Sequence, residues 1–136
     1  MSATDSFFDT SVLLYLLSSD SQKANRAEEL LGHAGIISVQ VLNEFTAVAY
    51  RKLKMSLAEI REVLETVRNI CRTDPLSTAE HDKAHELAER YGFSFYDSVI
   101  IASALRAGCK ILYSKDLQHG QIIERQLKVI NPFDQG

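Results

Sequence analysis

The sequence predicts an α/β fold: a three-layer α/β/α sandwich built on a central, mostly parallel sheet of four to five strands. Two observations carry this. Short runs that are apolar almost throughout alternate with longer stretches of helical periodicity, the pattern of parallel strands buried on both faces by crossover helices. At 136 residues the chain is long enough for one such unit and too short for two, so residues 1–136 are read as a single domain.

In chain order, Ser6-Phe7-Phe8-Asp9 reads as a first buried strand, and Thr10 or Ser11 is placed to cap a helix over 12–18. A second, polar-faced helix over 23–31 carries Ala24, Ala27, Leu30 and Leu31 at helical spacing, and Gly32 and Gly35 punctuate its end. Ile36-Ile37-Ser38-Val39 is the next strand. The helix over 40–53 puts Val41, Leu42, Phe45, Val48 and Ala49 on one face. Ser56 with Glu59, and Ser77 with Glu80, have the spacing of capping boxes and open the fourth and fifth helices. Between those helices, Arg72 to Leu76 is a short strand candidate. Gly92 closes the fifth helix, and the sixth covers 94–107 before Gly108. Lys110-Ile111-Leu112-Tyr113 and Leu127-Lys128-Val129-Ile130 complete the strands, the last ended by Pro132.

Composition narrows the class. With 46% hydrophobic and 24% charged residues the chain is ordinary globular protein, which excludes disordered and fibrous readings. The two cysteines, Cys71 and Cys109, lack CxxC spacing and fit a reducing compartment. Residues 1–5 carry no positive charge ahead of an apolar run, so no secretory signal is expected and a cytoplasmic location is. No membrane span is expected either, because the apolar stretches are interrupted by Asp9 or Asp97. The net charge of -3 argues, taken alone, against nucleic acid as a partner.

The interruptions are the informative feature. Asp9 is the one charge between Ser6 and Leu17, and Asp97 the one charge between Phe93 and Leu105. A carboxylate in such surroundings is costly unless paired, and neither segment holds a Lys or Arg. Topology places both on one rim. Asp9 ends the first strand; Glu44 lies about one turn into the helix leaving the second; Asp97 is in the first turn of the helix that feeds the Ile111 strand; Ser114 and Asp116 follow that strand. All four acids fall at the carboxyl edge of a parallel sheet, where such sheets hold ligands. At an effective dielectric of about 20, two unit charges 4 Å apart cost roughly 4 kcal/mol, so the cluster needs protons or a divalent cation. An oxygen-only set suits Mg²⁺ or Mn²⁺ better than Zn²⁺. Each acid also has an ordinary reading: Asp9 as a helix cap, Asp97 as the partner of Ser94 in a capping box, Glu44 as a helix-edge carboxylate, Asp116 as a turn residue.

Phe8-Asp9-Thr10-Ser11, Asn43-Glu44, Tyr96-Asp97-Ser98-Val99-Ile100-Ile101-Ala102 and Ser114-Lys115-Asp116, in this order and spacing over nearly the whole chain, resemble the PIN domain, the nuclease family that includes the VapC toxins. The resemblance implies a Mg²⁺- or Mn²⁺-dependent ribonuclease, the toxin of a toxin–antitoxin pair. It implies Asp9, Glu44, Asp97 and Asp116 as the catalytic metal-binding set, with Thr10, Ser11 and Ser114 as polar supports. Ser114 stands where the family often has Thr. Arg51, Lys52, Lys54, Lys115 and Arg106 are candidates for contact with the RNA backbone. A cognate antitoxin and a homodimer are the expected protein partners, since the helices around residues 12–17 and 57–70 offer apolar faces.

Three other readings compete. A catalytically idle interaction module would share the fold. A phosphate-accepting receiver domain would use Asp74 and Lys115, yet would need an acidic pair where Asp9 stands alone. His81 and His85 have the i, i+4 spacing of zinc-protease helices, with Asp82 where those have Glu and no evident third ligand.

Overall fold

The computed structural model describes residues 5–133; the leader reading at 1–4 and the last three residues of the single-domain assignment lie outside them. The first buried run forms β1 (Ser6–Phe8), with Phe7 and Phe8 almost fully enclosed. Its chain turns at once into α1 (Thr10–Leu14), which tightens into a 3₁₀ turn over Tyr15–Leu17. The continuous helix expected over 12–18 is therefore split, and it starts two residues early because the cap is Asp9 itself.

Next come α2 (Ser21–Gly32), β2 (Ile36–Ser38), α3 (Val39–Arg51), α4 (Leu57–Ile70) and β3 (Arg72–Asp74). Gly35 introduces β2 where the backbone passes so close to β1 that a Cβ would stand 2.5 Å from the Phe8 ring and 3.1 Å from the Ser6 carbonyl oxygen. Both expected capping boxes form: Ser56 with Glu59 opens α4, and Ser77 with Glu80 opens α5 (Thr78–Tyr91). Gly92, at φ 77°, ends α5 in the left-handed conformation that glycine adopts without strain.

The last helix, α6 (Phe95–Arg106), is enclosed on every side from Ser98 to Ala104. That explains why its sequence lacks an amphipathic stripe and why its charges sit at its ends, Asp97 in the first turn and Arg106 in the last. The chain finishes through β4 (Ile111–Tyr113), β5 (Ile122–Ile123) and β6 (Leu127–Ile130).

Among the described residues the sheet has six strands in the order β3-β2-β1-β4-β6-β5, one more than the expected upper count. The extra strand, β5, has two residues and pairs antiparallel with β6 at the edge; every other pairing is parallel. Helices cover both faces. The chain goes from β1 to β2 on one side and later returns to β4 on the other, so the strand order reverses beside β1. A switch point of this kind leaves a crevice at the carboxyl ends of the strands. No helix among the described residues is long and apolar enough to cross a membrane.

Candidate functional site

Strand register builds the site. Phe8 is paired with Tyr113, so the next residue on each strand, Asp9 and Ser114, emerges side by side at the crevice. The Asp9 N–H still donates to the Tyr113 carbonyl at 3.0 Å, and the Ser114 N–H to that of Ile130 at 3.0 Å, which fixes both backbones. Across this junction the Ser114 hydroxyl donates to Asp9 Oδ2 at 2.6 Å. The same oxygen accepts from the Ser11 hydroxyl at 3.0 Å, and Oδ1 accepts from the Thr10 N–H at 2.8 Å. Ser114 Oγ in turn accepts from the N–H groups of Asp116 and Leu117 at 3.2 and 3.3 Å, and Ser11 Oγ from that of Lys115 at 3.0 Å. Thus Thr10, Ser11 and Ser114 all bond to Asp9, and Ser11 and Ser114 tie the loop bearing Asp116 to it.

Glu44 joins through α1: the Thr10 hydroxyl donates to its Oε1 at 3.0 Å. Its other oxygen accepts from the Gln40 side-chain amide at 2.8 Å. Gln40 was not among the expected site residues; its i, i+4 spacing to Glu44 was the available signal. Ser38 was also missed. It caps α3 at the same rim without a side-chain capping bond, and its buried hydroxyl has no hydrogen-bond partner.

Asp97 is half-buried at the start of α6, where its N–H donates to Ser94 Oγ at 3.2 Å. So Asp9 and Asp97 do perform the ordinary duties of cap and first-turn residue. Neither duty removes their charge problem. Burial pushes the Asp9 carboxyl up to about 6, and the nearby Asp97 and Asp116 push the same way, against the Ser114 and Ser11 hydroxyls. The Asp97 carboxyl is also raised, mainly by burial and further by Asp116. No cation figures among these influences, and none of the ion pairs among the described residues involves Asp9, Glu44, Asp97 or Asp116.

The donors are all oxygens, which fits the chemistry of a hard divalent cation. As they stand, however, no three His, Cys, Asp or Glu side chains among the described residues form a ready metal-ligand group. Exposed Asp116 reaches the site through its backbone N–H, while Glu44 is held by Thr10 and Gln40.

The basic residues divide. Lys115 lies at the rim, its ammonium 5.8 Å from the centre of the Tyr15 ring. Arg51, Lys52 and Lys54 are exposed around the end of α3, with Arg51 about 10 Å along the helix axis from Glu44. Arg106 needs correction. It sits at the far end of α6 from Asp97 and pairs with buried Glu80 at 3.2 Å, which withdraws it from the rim. Asp74, the receiver-type candidate, ends an edge strand and is held by Arg72 at 2.8 and 3.1 Å. His81 and His85 face each other at 3.3 Å between Nε2 atoms, against the Phe95 ring.

An α/β fold with an acidic rim at the switch point of a mostly parallel sheet is thus the class that fold and site define. The chain belongs to the PIN domain family, whose model matches residues 6–123. Solved structures of similar fold include Mycobacterium tuberculosis VapC20, a sarcin-ricin loop cleaving toxin, with 19% identity, TM-score 0.68, and coverage of 82% of this chain and 89% of that one. A toxin–antitoxin complex from Klebsiella pneumoniae aligns at 17% identity and TM-score 0.71, covering 95% and 98%. VapBC2 from Rickettsia felis, bound to a promoter DNA fragment, aligns at 19% identity and TM-score 0.63, covering 93% and 98%. No curated protein sequence gives a significant match.

Proposed function

We propose that this protein is a Mg²⁺- or Mn²⁺-dependent endoribonuclease and the toxin of a toxin–antitoxin pair. The observation that carries the reading is Asp9: an enclosed carboxylate, anchored by three donors, facing two further acids with no cation to balance it. A group so placed is a poor structural choice and a good ligand. Family membership and the VapC-like fold neighbours support the same conclusion.

Asp9 and Asp97 would be the principal ligands, and Glu44 and Asp116 would complete the set directly or through water. When bound, the cation would supply Lewis-acid polarisation of a phosphate oxygen and a more acidic water. The chain's own residues do the positioning. Ser11 and Ser114 hold Asp9 in one orientation, and Thr10 and Gln40 hold Glu44. Lys115 offers a positive charge to the phosphate backbone at the rim. Arg51, Lys52 and Lys54 would meet more distant phosphates.

The antitoxin partner would occupy a hollow of about 580 Å³ beside the rim, bounded by Leu14, Tyr15, Leu17, Val48 and Leu53 and reaching Lys115 and Asp116. The exposed Tyr50 and Leu57 would suit a homodimer contact.

Digestion of RNA with and without Mg²⁺ or Mn²⁺, by wild type and Asp9→Asn, tests the reading. Metal-dependent cutting lost in the variant is the expected result. Equal cutting by both proteins overturns it.

A further inference from the structure

A second hollow, of about 610 Å³, is walled by Gln40, Glu80, His81, Phe95, Tyr96 and Val99. We infer that this cavity is a stacking subsite for one unpaired base of the RNA substrate, with Tyr96 as its platform. The inference rests on the ribonuclease reading and adds where the strand lies.

Three observations support it. The first is the exposure of Tyr96, 64% accessible although it directly precedes the half-buried Asp97. An aromatic ring of that size left open at an acidic rim is unusual ground for packing and suitable ground for a ligand with a flat face. The second is rigidity. Phe95 packs edge-on to Tyr96, with ring centres 6.1 Å apart at 63°. On its other flank Phe95 is held by His81 at 5.5 Å and His85 at 5.0 Å. The platform therefore rests on a cluster of rings, and ordering it on binding costs little side-chain entropy. This gives the histidine pair singled out in the sequence a role as support.

The third is contiguity. Gln40 walls the cavity and also donates its amide to Glu44 at 2.8 Å. A phosphate held at the carboxylate rim thus has its neighbouring nucleotide delivered to the mouth of the cavity. The walls contain no Lys or Arg, and their one carboxylate, Glu80, is taken up by Ser77 and by Arg106 at 3.2 Å, so what they offer is chiefly ring faces and hydrogen-bonding groups, the chemistry of base recognition in single strands. A base inside a duplex has both faces covered and cannot use them.

Steady-state cleavage and fluorescence anisotropy, with a short single-stranded RNA and a duplex of the same sequence, test this in the full chain. Tyr96→Ala is expected to raise KM and weaken single-strand binding about 5- to 100-fold, with kcat within about threefold. Tyr96→Phe should stay near wild type, whereas Tyr96→Leu should fall with the alanine variant despite its bulk. Binding to the duplex should be unaffected, and the exposed site leaves melting temperatures unchanged. If Tyr96→Ala binds and cuts single strands like wild type, the subsite is refuted and that face is left to a protein partner. If Tyr96→Leu matches wild type, stacking is refuted in favour of simple apolar contact. If wild type neither binds nor cuts RNA, the ribonuclease reading fails and the subsite with it.

Discussion

Replacing Asp9 with Asn should change stability in a way that depends on pH, and the size follows from its burial. The carboxyl is raised from the ordinary 3.8 to about 6 in the folded protein. At 1.36 kcal/mol per pH unit, folding favours the protonated form by about 3 kcal/mol. That contribution is fully present below pH 3.8, shrinks as pH rises, and is gone once pH passes 6, so metal-free wild type loses about 3 kcal/mol by pH 7. The smaller raise at Asp97 acts in the same direction. Asn carries no charge to desolvate, so the variant avoids the Asp9 part of this loss. It does not avoid one cost: the Asp9 oxygens accept from the Thr10 N–H on one side and from the Ser11 and Ser114 hydroxyls on the other, and Asn turns an NH₂ donor toward one of those sides, leaving a buried donor without its acceptor. An unmade buried bond costs about 1 kcal/mol or somewhat more. The variant should therefore be slightly less stable than wild type at pH 4 and more stable by about 1–2 kcal/mol at pH 7, a rise of roughly 3–8 °C in melting temperature. Denaturant titrations in EDTA at pH 4, 5, 6, 7 and 8 measure the difference. A difference that does not vary with pH, or that grows more unfavourable toward pH 8, would refute the argument that Asp9 is an uncompensated buried charge.

Adding millimolar Mn²⁺ at pH 7.5 should raise the melting temperature of wild type by mass action and leave Asp9→Asn unmoved; no shift in wild type would favour the catalytically idle module. Ser114→Ala should destabilise by about 1.5–3 kcal/mol at pH 8, where the bond to Asp9 is charge-assisted, and by less at pH 4, as read by thermal melts at the two pH values. Gly35→Ala should cost about 1–3 kcal/mol in chemical denaturation, because its Cβ meets the enclosed Phe8 ring at 2.5 Å. Asp74→Asn should leave RNA cleavage within about twofold of wild type, and acetyl phosphate should not label that residue; labelling would revive the receiver-type reading.

Much of this arrangement is legible in the residues because a few of them break a local rule. Asp9 and Asp97 announce themselves as lone charges in apolar runs, and the Ser56/Glu59 and Ser77/Glu80 pairs mark helix starts that form as read. What stays hidden depends on long-range geometry. Nothing near β5 signals a two-residue strand, since its pairing is decided by β6. The early start of the first helix follows from Asp9 taking the cap that Thr10 and Ser11 offer in sequence. Arg106 looks available in sequence, and only the packing of α6 on α5 delivers it to Glu80. Gln40 carries no charge and offers only its i, i+4 spacing to Glu44 as a signal, and Ser38 breaks no pattern, so its place at the head of α3 emerges only once the rim is assembled.

The bond between Ser114 and Asp9 joins residues 105 positions apart. During synthesis the first strand leaves the ribosome long before the fourth, and until the fourth docks beside it Asp9 has neither its clamp nor its acidic neighbours Asp97 and Asp116. A chain that stops short of β4 therefore has no assembled rim, however well its first strands and helices have formed.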